Sequence, residues 1–311
     1  MTHIETAVED FFFHCRYEKN LTDKTLKAYQ IDLSQFQAHL ASEQHSRQLA
    51  DMDKYVIRSF LRNISEGSRP KTIKRKMATL RAFFNYLEFE DRIPVSPFRK
   101  MRIKIVQDLK LPEVLTLSEV RRLFRYLYEE RTYARSGTPS YHILLRDIAV
   151  VEMLFATGMR VSELCGLAPE SVDLEEGFVR VWGKGRRERI VPLCAATITD
   201  ALSDYRRSGR LRSAQWFFTN RNGDRLMEQT VRMIIRKHTI AAGLEKNVTP
   251  HTFRHTIATL LLENGVDLRY IQYFLGHSTI VTTQLYTKIN NRAQREVLMQ
   301  NHPRNQVAGF R

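Results

Sequence analysis

Strand-like sequence is confined to one short region of this chain, and this restricts the fold. Residues 178–182 alternate between apolar and polar side chains, and a second short strand pattern at 189–191 ends at Pro192. Alternation with a period of two is typical of half-buried strands. A Gly-Lys-Gly turn at 183–185 lies between them, so the region predicts a β-hairpin. Most of the remaining chain has helical patterns, so we expect a mainly α fold with a small β-hairpin or sheet.

The first hundred residues contain helical patterns throughout. Helices are predicted over 24–40, over 52–64 and from Pro70 onward, since proline is favoured in a first helical turn. The third helix has an apolar face formed by Ile73, Met77, Leu80, Phe84 and Leu87. Its opposite face is basic and consists of Lys71, Lys74, Arg75 and Arg81. A charged face is usually only solvated, but charges of one sign also suit DNA, and both interpretations stay open.

Prolines and basic residues after this helix predict a domain boundary. We expect a helical domain over 1–104, a basic linker over 105–115, a second domain over 116–290 and a tail over 291–311. The second domain begins with a capping-box pattern at Thr116–Glu119. A loop is predicted over 129–142, followed by a buried helix over 143–156 that ends at Gly158.

Composition favours a polyanionic partner. The formal net charge is +15 and the sequence pI is about 9.9, which suits nucleic acid, although a basic protein need not have such a partner. An anionic membrane surface is disfavoured because no long basic amphipathic helix is left over for lipid. Three widely spaced cysteines suggest neither a disulfide framework nor a cysteine zinc site. We expect a cytoplasmic, nucleoid-associated protein.

The segment from Thr249 carries the most informative polar cluster. Thr249 can cap a helix with Pro250 in its first turn, and His251, Arg254 and His255 fall on the side opposite the apolar residues. Such a cluster at a helix start suits an anion. Two histidines four residues apart could also bind zinc, but the glutamate of a metalloprotease helix is missing and an arginine disfavours a cation. We expect no metal.

Four further residues are weak signals when taken singly. Arg160 follows Gly158 and could be a surface arginine, and Lys184 could be an exposed turn residue. His277 follows Gly276 on a turn, and Tyr286 could be a half-buried residue of an amphipathic helix. A tyrosine nucleophile must lose its proton during attack, and cationic neighbours make that easier.

Together these residues resemble the motifs of the tyrosine recombinases, the family of lambda-type integrases, especially its Xer-type and mobile-element members. The similar segments are Thr-Gly-Met-Arg-Val-Ser-Glu-Leu (157–164), Gly-Lys-Gly-x-x-Glu-Arg-x-Val-Pro-Leu (183–193), His-x-x-Arg-His (251–255), Leu-Gly-His (275–277) and Tyr286. The resemblance covers nearly the whole chain. It implies a helical, SAM-like core-DNA-binding domain and a C-terminal catalytic domain that form a C-shaped clamp on DNA.

The resemblance also implies roles for single residues. Tyr286 attacks the scissile phosphate and forms a 3′-phosphotyrosyl link, and Arg160 and Arg254 hold the non-bridging oxygens. Lys184 gives a proton to the departing 5′-hydroxyl, His251 is the acid–base partner of the tyrosine, and His277 binds the phosphate. Supporting roles fall to Glu163, which orients the pocket, and to His255. No cofactor, metal or ATP is implied.

The implied partner is double-stranded DNA with short inverted-repeat sites, bound by a homotetramer on two sites that passes through a Holliday junction. The tail is implied to dock on a neighbouring subunit, although folding on its own domain is an alternative. The sequence leaves open whether a paralogue or an accessory factor takes part. Two other functions also remain open, a non-catalytic DNA-binding regulator and a strand-relaxing enzyme of the topoisomerase IB type.

Overall fold

The computed structural model describes residues 3–106, 112–183, 188–209, 215–276 and 291–307, with side chains of the last range from 296 onward. The chain divides into two compact units, Met1–Lys110 and Leu111–Arg311. Within the described residues, no helix is long and apolar enough to cross a membrane.

The first unit is helical, and its helix starts follow local capping rules. The helices are α1 (Ile4–Phe13), which continues into a π-helical turn, α2 (Asp23–Ser42), α3 (Lys54–Ser65) and α4 (Pro70–Phe89). The Thr22 side chain accepts a hydrogen bond from the Thr25 amide at the start of α2, and the Asp53 carboxylate accepts from two amides at the start of α3. The three helices predicted in this region are therefore confirmed, with ends shifted by one or two residues.

Aromatic packing holds the first unit together. The buried rings of Phe36, Phe60 and Phe84 meet edge to face, with centroids 5.2 and 6.1 Å apart. The five residues predicted for the apolar face of α4 are all buried. One basic residue of the opposite face has a structural partner: Arg75 donates to the buried carboxylate of Asp32 at 2.5 Å, and Thr79 donates to the same oxygen at 2.8 Å.

The second unit contains eight described helices and a small sheet. The helices are α5 (Leu117–Tyr133), α6 (Pro139–Thr157), α7 (Val161–Cys165), α8 (Ala196–Arg207), α9 (Glu228–Ala241), α10 (Pro250–Glu263), α11 (Leu268–Leu275) and α12 (Asn291–Asn301). The capping box at the start of α5 is present: the Thr116 hydroxyl accepts from the Glu119 amide, and Glu119 accepts from the Thr116 amide.

The loop predicted over 129–142 is wrong, because both flanking helices extend into it. α5 continues to Tyr133, where Arg131 pairs with Asp204 of α8 at 2.5 Å, and α6 begins at Pro139 with the Thr138 hydroxyl as its cap. The connection is therefore only residues 134–138. From Leu145 to its end, α6 is buried all round, as expected for the central helix of a unit.

The sheet has three antiparallel strands in the order β1 (Val172–Asp173), β2 (Phe178–Trp182) and β3 (Glu188–Pro192). The predicted hairpin is confirmed, with Val179 opposite Val191 and Val181 opposite Arg189. The sequence analysis missed β1, which is too short to show alternation. The inner face of β2 and β3 contributes Val179, Val181 and Val191 to the core of this unit.

The C-terminal segment packs on its own unit in this single chain. Leu298 and Val307 are buried in the same core as α5, α6 and α10, and residues Pro303–Val307 form a 3-10 turn beside α5. The side chain of Arg304 is among the largest that are fully buried. Docking of the tail on a neighbouring subunit stays a prediction.

Candidate functional site

Five of the predicted site residues lie in the described part of the second unit. Arg160 and Glu163 stand at the start of α7, while His251, Arg254 and His255 belong to the first half of α10. The predictions on Lys184, His277 and Tyr286 fall outside the described residues. Their places in the chain are nevertheless informative: Lys184 lies between β2 and β3, His277 directly follows Gly276, and Tyr286 precedes α12.

Arg160 is fixed at the start of α7 by Glu163. Its backbone amide donates to Glu163 Oε2 at 2.8 Å, and its guanidinium donates from Nη1 to Glu163 Oε1 at 2.8 Å. The other terminal nitrogen, Nη2, donates to the carbonyl of Gly276 at 3.2 Å. About a third of the Arg160 side chain stays exposed (36%), so the guanidinium is held in place and still reaches solvent.

Glu163 is shared between two arginines. Arg189 of β3 donates from Nη1 to Oε1 at 3.2 Å and from Nη2 to Oε2 at 2.7 Å, and both side chains are buried. Burial disfavours the charged carboxylate, but the hydrogen bonds and charge of Arg189 and the hydrogen bonds of Arg160 outweigh it. The pKa of Glu163 is therefore held below its ordinary value.

Arg254 is buried, although the sequence placed it on a polar face with two histidines. Its guanidinium donates to the carbonyl of Gly158 at 2.8 Å and to that of Leu275 at 2.6 Å. Burial, reinforced by the charges of Arg160 and Arg189 and opposed by Glu163, lowers the pKa of Arg254 to about 10. The side chain is long enough to leave its helix and end between the C-terminal ends of α6 and α11, which a face assignment from helical periodicity does not capture.

Two glycines let the ends of α6 and α11 lie close to neighbouring side chains in the cluster. Gly158 ends α6 with φ +55°, and a Cβ there would lie 2.6 Å from Leu275 Cδ2 and 2.8 Å from Ile257 Cγ2. Gly276 ends α11 with φ +68°, and a Cβ there would lie 2.9 Å from Arg189 Nη1. The left-handed backbone disfavours a side chain at both positions, and at Gly158 an added Cβ would also clash with two packed apolar side chains.

The histidines of α10 lie on the solvent side. Thr249 caps the helix as predicted, with its hydroxyl accepting from the Thr252 amide at 3.2 Å, and His251 and His255 are exposed. The pKa of His251 is lowered, first by partial desolvation and then by the nearby charges of His255, Arg254 and Arg160. A lowered pKa favours the neutral imidazole, which can accept a proton.

The cluster carries an excess of positive charge suited to an anion. Three guanidinium groups, those of Arg160, Arg189 and Arg254, lie near the carboxylate of Glu163, which Arg160 and Arg189 bind directly and which acts on Arg254 through its charge. Arg160 and Arg254 each use two N–H groups in the hydrogen bonds above, and a guanidinium has five. The remaining donors suit the oxygens of a phosphodiester. Over the residues that the structure describes, no group of three or more His, Cys, Asp or Glu side chains could hold a metal ion.

Arg189 is the site residue that the sequence analysis missed. It occurs in the Glu-Arg-x-Val-Pro motif, but no role was expected for it. The signal was present in the strand pattern, because Arg189 has the same parity as the buried Val191 and so points to the inner face of β3. An arginine on a buried strand face needs a charged partner, and here the partner is Glu163.

The predicted DNA-binding residues lie on α4 of the first unit. Lys71, Lys74, Arg75 and Arg81 are all exposed. Arg75 also pairs with Asp32, and the Arg81 guanidinium lies 5.5 Å from the centre of the Phe98 ring. Their role in binding DNA stays a prediction.

Two family descriptions match the chain. Residues 113–293 match the Phage integrase family, and residues 8–91 match the N-terminal SAM-like domain of phage integrases. These matches fall in the second and the first unit.

Relatives of known classification match over almost the full length. A tyrosine recombinase of Agathobacter rectalis is 36% identical over 307 residues, which cover 98% of each chain. The tyrosine recombinase XerD of Staphylococcus aureus is 37% identical over 309 residues, covering 97% of this chain and all of the relative. Among solved structures, the Tn1549 transposon integrase in complex with transposon right end DNA has a TM-score of 0.70 at 19% identity, covering 96% of this chain and 99% of that one, which shows a shared fold.

Proposed function

Because this chain belongs to the phage integrase family of tyrosine recombinases, and is thus a site-specific recombinase, we propose that it works through a phosphotyrosine on Tyr286. The tyrosine oxygen attacks a DNA phosphorus, the bond to the 5′-oxygen breaks, and a 3′-phosphotyrosyl link forms. The free 5′-hydroxyl of a partner strand then attacks the same phosphorus and releases the tyrosine. The bond energy is kept throughout, so the proposed cycle uses neither ATP nor metal.

One observation carries this proposal: Arg160 and Arg254, from different helices, donate to neighbouring carbonyls of one turn, those of Gly276 and Leu275. The next residue in the chain is His277. Two preorganised guanidinium groups with remaining donors form a cradle for the charge that develops on a phosphoryl group under attack. Because the donors are held before substrate arrives, little reorganisation is needed during the reaction.

Proton transfers are assigned to Lys184 and His251. In the proposal Lys184 protonates the departing 5′-oxygen, and neutral His251 takes the proton of Tyr286. The lowered pKa of His251 supports this direction of transfer. His277 donates a hydrogen bond to the phosphate, Glu163 orients Arg160, and His255 has a supporting role.

The proposed assembly is a homotetramer that joins two DNA sites and passes through a Holliday junction. In the same proposal each DNA site consists of short inverted repeats, and the two domains form a clamp around the DNA. The phosphates are contacted by the basic residues of α4, namely Lys71, Lys74, Arg75 and Arg81. In this proposal the 105–115 segment links the domains, and the tail docks on a neighbouring subunit. The biological outcome is integration or excision of a mobile element, or Xer-like resolution.

A covalent-adduct experiment tests the chemistry. Labelled duplexes from either side of the protein's own gene are incubated with wild type and with Tyr286→Phe, and the mixtures are denatured in SDS. We expect an adduct with wild type alone, because phenylalanine lacks the attacking oxygen. A gel shift without denaturant is expected to be equal for both proteins, since the hydroxyl contributes little to DNA affinity.

The possible outcomes separate the competing functions. An adduct that persists in Tyr286→Phe would move the nucleophile to another residue. Shifted DNA without any wild-type adduct would favour a non-catalytic regulator. An adduct that relaxes supercoiled plasmid without joining two sites would favour the topoisomerase-like alternative.

A further inference from the structure

Arg189 stands between three parts of the candidate site. It lies on β3, one residue after the start of the strand, and its side chain is 7% exposed. Its guanidinium is bound to Glu163 on one side and packs against Gly276 on the other. The residue therefore connects the β2–β3 hairpin, whose strands flank Lys184 in the chain, with the start of α7 and the end of α11.

The acceptor capacity of Glu163 is fully used. A carboxylate offers about four lone-pair sites. Oε1 accepts from the guanidinium of Arg160 and from Nη1 of Arg189, and Oε2 accepts from the Arg160 amide and from Nη2 of Arg189. Arg189 thus occupies half of the acceptor sites in a two-pronged pair.

Because Arg189 occupies two acceptor sites of Glu163, it limits the number of hydrogen bonds that the Arg160 guanidinium makes to this carboxylate. With Arg189 in place, the Arg160 guanidinium makes one hydrogen bond to the carboxylate. Without Arg189, two acceptor sites open beside it, and a two-pronged pair with Arg160 becomes the best use of the carboxylate. Such a pair would turn the guanidinium toward Glu163 and away from the solvent-facing side of the cluster.

We propose that Arg189 is a positioning residue that saturates Glu163, so that the Arg160 guanidinium keeps its remaining donors for the scissile phosphate. This inference rests on the proposed phosphotyrosine chemistry. Arg189 itself does not contact the reacting atoms. Its contact with Gly276 extends the same positioning to the turn that precedes His277.

The test compares Arg189→Met with Arg180→Met in the full-length protein. Arg180 is a matched control because it lies on the neighbouring strand β2, points to the exposed face and contacts the Phe178 ring instead of Glu163. Each variant loses one positive charge, so the formal net charge changes equally, and saturating DNA removes differences in binding from the comparison. The rate of adduct formation is measured at saturating DNA, on the duplex that reacts with wild type, below the unfolding temperature of every variant.

We expect Arg189→Met to react at least about tenfold more slowly than Arg180→Met, since a displaced catalytic group can cost up to about a hundredfold. Arg189→Lys keeps the charge without the forked geometry and is expected to lie between the two. If Arg189→Met reacts as fast as Arg180→Met while wild type forms an adduct, the inference is wrong and the proposed function stands.

A duplex with an uncharged scissile linkage distinguishes a positioning role of Arg189 from a merely structural one. In a second duplex the scissile phosphate, mapped from the wild-type adduct, is replaced by a methylphosphonate, which lacks one charged oxygen. If Arg189 acts through Arg160, the deficit of Arg189→Met relative to Arg180→Met shrinks to within about threefold, because less charge remains for Arg160 to stabilise. An equal deficit on both duplexes would assign Arg189 a merely structural role. Absence of any wild-type adduct would overturn the proposed function and this inference together.

Discussion

The guanidinium of Arg304 forms a two-pronged ion pair with the carboxylate of Glu152, with N–O distances of 2.9 and 2.6 Å. The two side chains are 1% and 0% exposed. Tyr128 also donates to Glu152, at 2.7 Å, and the Phe124 ring lies against the guanidinium. The pair joins the C-terminal segment to α6, the buried helix that leads to Gly158 and Arg160.

Breaking this pair will destabilise the second unit. Arg304→Met leaves the Glu152 carboxylate buried without its cation, and we expect the free energy of unfolding to fall by about 3–5 kcal/mol. Both tryptophans, Trp182 and Trp216, lie in the second unit, so their fluorescence during denaturant unfolding reports on this unit alone. The exposed Arg122→Met serves as the control and should change the free energy by at most about 0.5 kcal/mol. The double variant Arg304→Met/Glu152→Gln should regain part of the lost stability, because it no longer buries a carboxylate without its cation. A double variant less stable than Arg304→Met would contradict the buried ion pair as the cause.

His302 will make the second unit sensitive to acid. Its Nε2–H donates to the Ala156 carbonyl at 2.9 Å, and its Nδ1 accepts from the Arg304 amide at 3.1 Å, so both ring nitrogens are used in the neutral form. Burial is the main cause that lowers the pKa of His302 to about 4 from an ordinary value of 6.5, with the charge of Arg304 adding to it. Because the unfolded chain then binds the proton more readily, stability is fully present above pH 6.5 and is lost as the pH falls toward 4.

Between pH 6.5 and 4 the free energy of unfolding should fall by on the order of 3 kcal/mol. Denaturant unfolding followed by tryptophan fluorescence at each pH measures this fall. The fall in the free energy of unfolding between pH 6.5 and 4 should disappear in His302→Gln. The control His255→Gln, which changes an exposed histidine, should retain it. Parallel pH profiles for wild type and His302→Gln would show that the buried imidazole is not responsible.

Gly158→Ala will combine backbone strain with overpacking. The positive φ costs an alanine about 1 kcal/mol, and the Cβ would clash with Leu275 and Ile257, which costs about a further 1–3 kcal/mol. Gly137→Ala is a matched control, since its φ is +79° but no atom lies within 4 Å of the added Cβ. Denaturant unfolding should therefore show a loss for Gly158→Ala that exceeds the loss for Gly137→Ala. Equal losses would mean that the packing around residue 158 relaxes without cost.

Arg160→Lys will slow adduct formation by a factor of about a hundred or more, because a lysine has its donors on one nitrogen and lacks the planar fork with which Arg160 reaches Glu163 and the Gly276 carbonyl from separate nitrogens. DNA affinity should stay near that of wild type, since many other cations contribute to it. Single-turnover rates at saturating DNA measure the effect, with Arg180→Lys as the control. A rate near that of wild type would remove Arg160 from the proposed phosphate cradle.

Local signals in the sequence predicted much of this fold. Helix starts at Thr22, Thr116 and Thr249 follow from side chains that accept from the amide three residues later, and the alternation at 178–182 is a property of one strand. The wrong loop over 129–142 arose where polar residues hid two helix ends that are fixed by tertiary contacts such as Arg131–Asp204. Polar composition alone does not separate a loop from an exposed helical turn.

The arrangement of the site depends on contacts that local patterns do not encode. Helical periodicity placed Arg254 beside two exposed histidines, but its guanidinium binds carbonyls 96 and 21 positions away in the chain. The pairing of Arg189 with Glu163 and that of Arg304 with Glu152 likewise join distant segments. Strand parity could have identified Arg189 as buried, whereas no feature of the sequence near Arg304 indicates which acidic residue it binds.

The contacts of His302 and Arg304 with α6 also bear on how the protein is made. Ala156 and Glu152 leave the ribosome long before their partners, which lie 146 and 152 positions later in the chain. A nascent chain therefore carries Glu152 without its cation until residue 304 has been synthesised. An incomplete chain that stops before residue 302 contains Arg160, Arg189 and Arg254 but lacks the bonds that fix the helix leading to them. The arginine cluster thus gains the support of these contacts with α6 only after residues 302 and 304 have been synthesised.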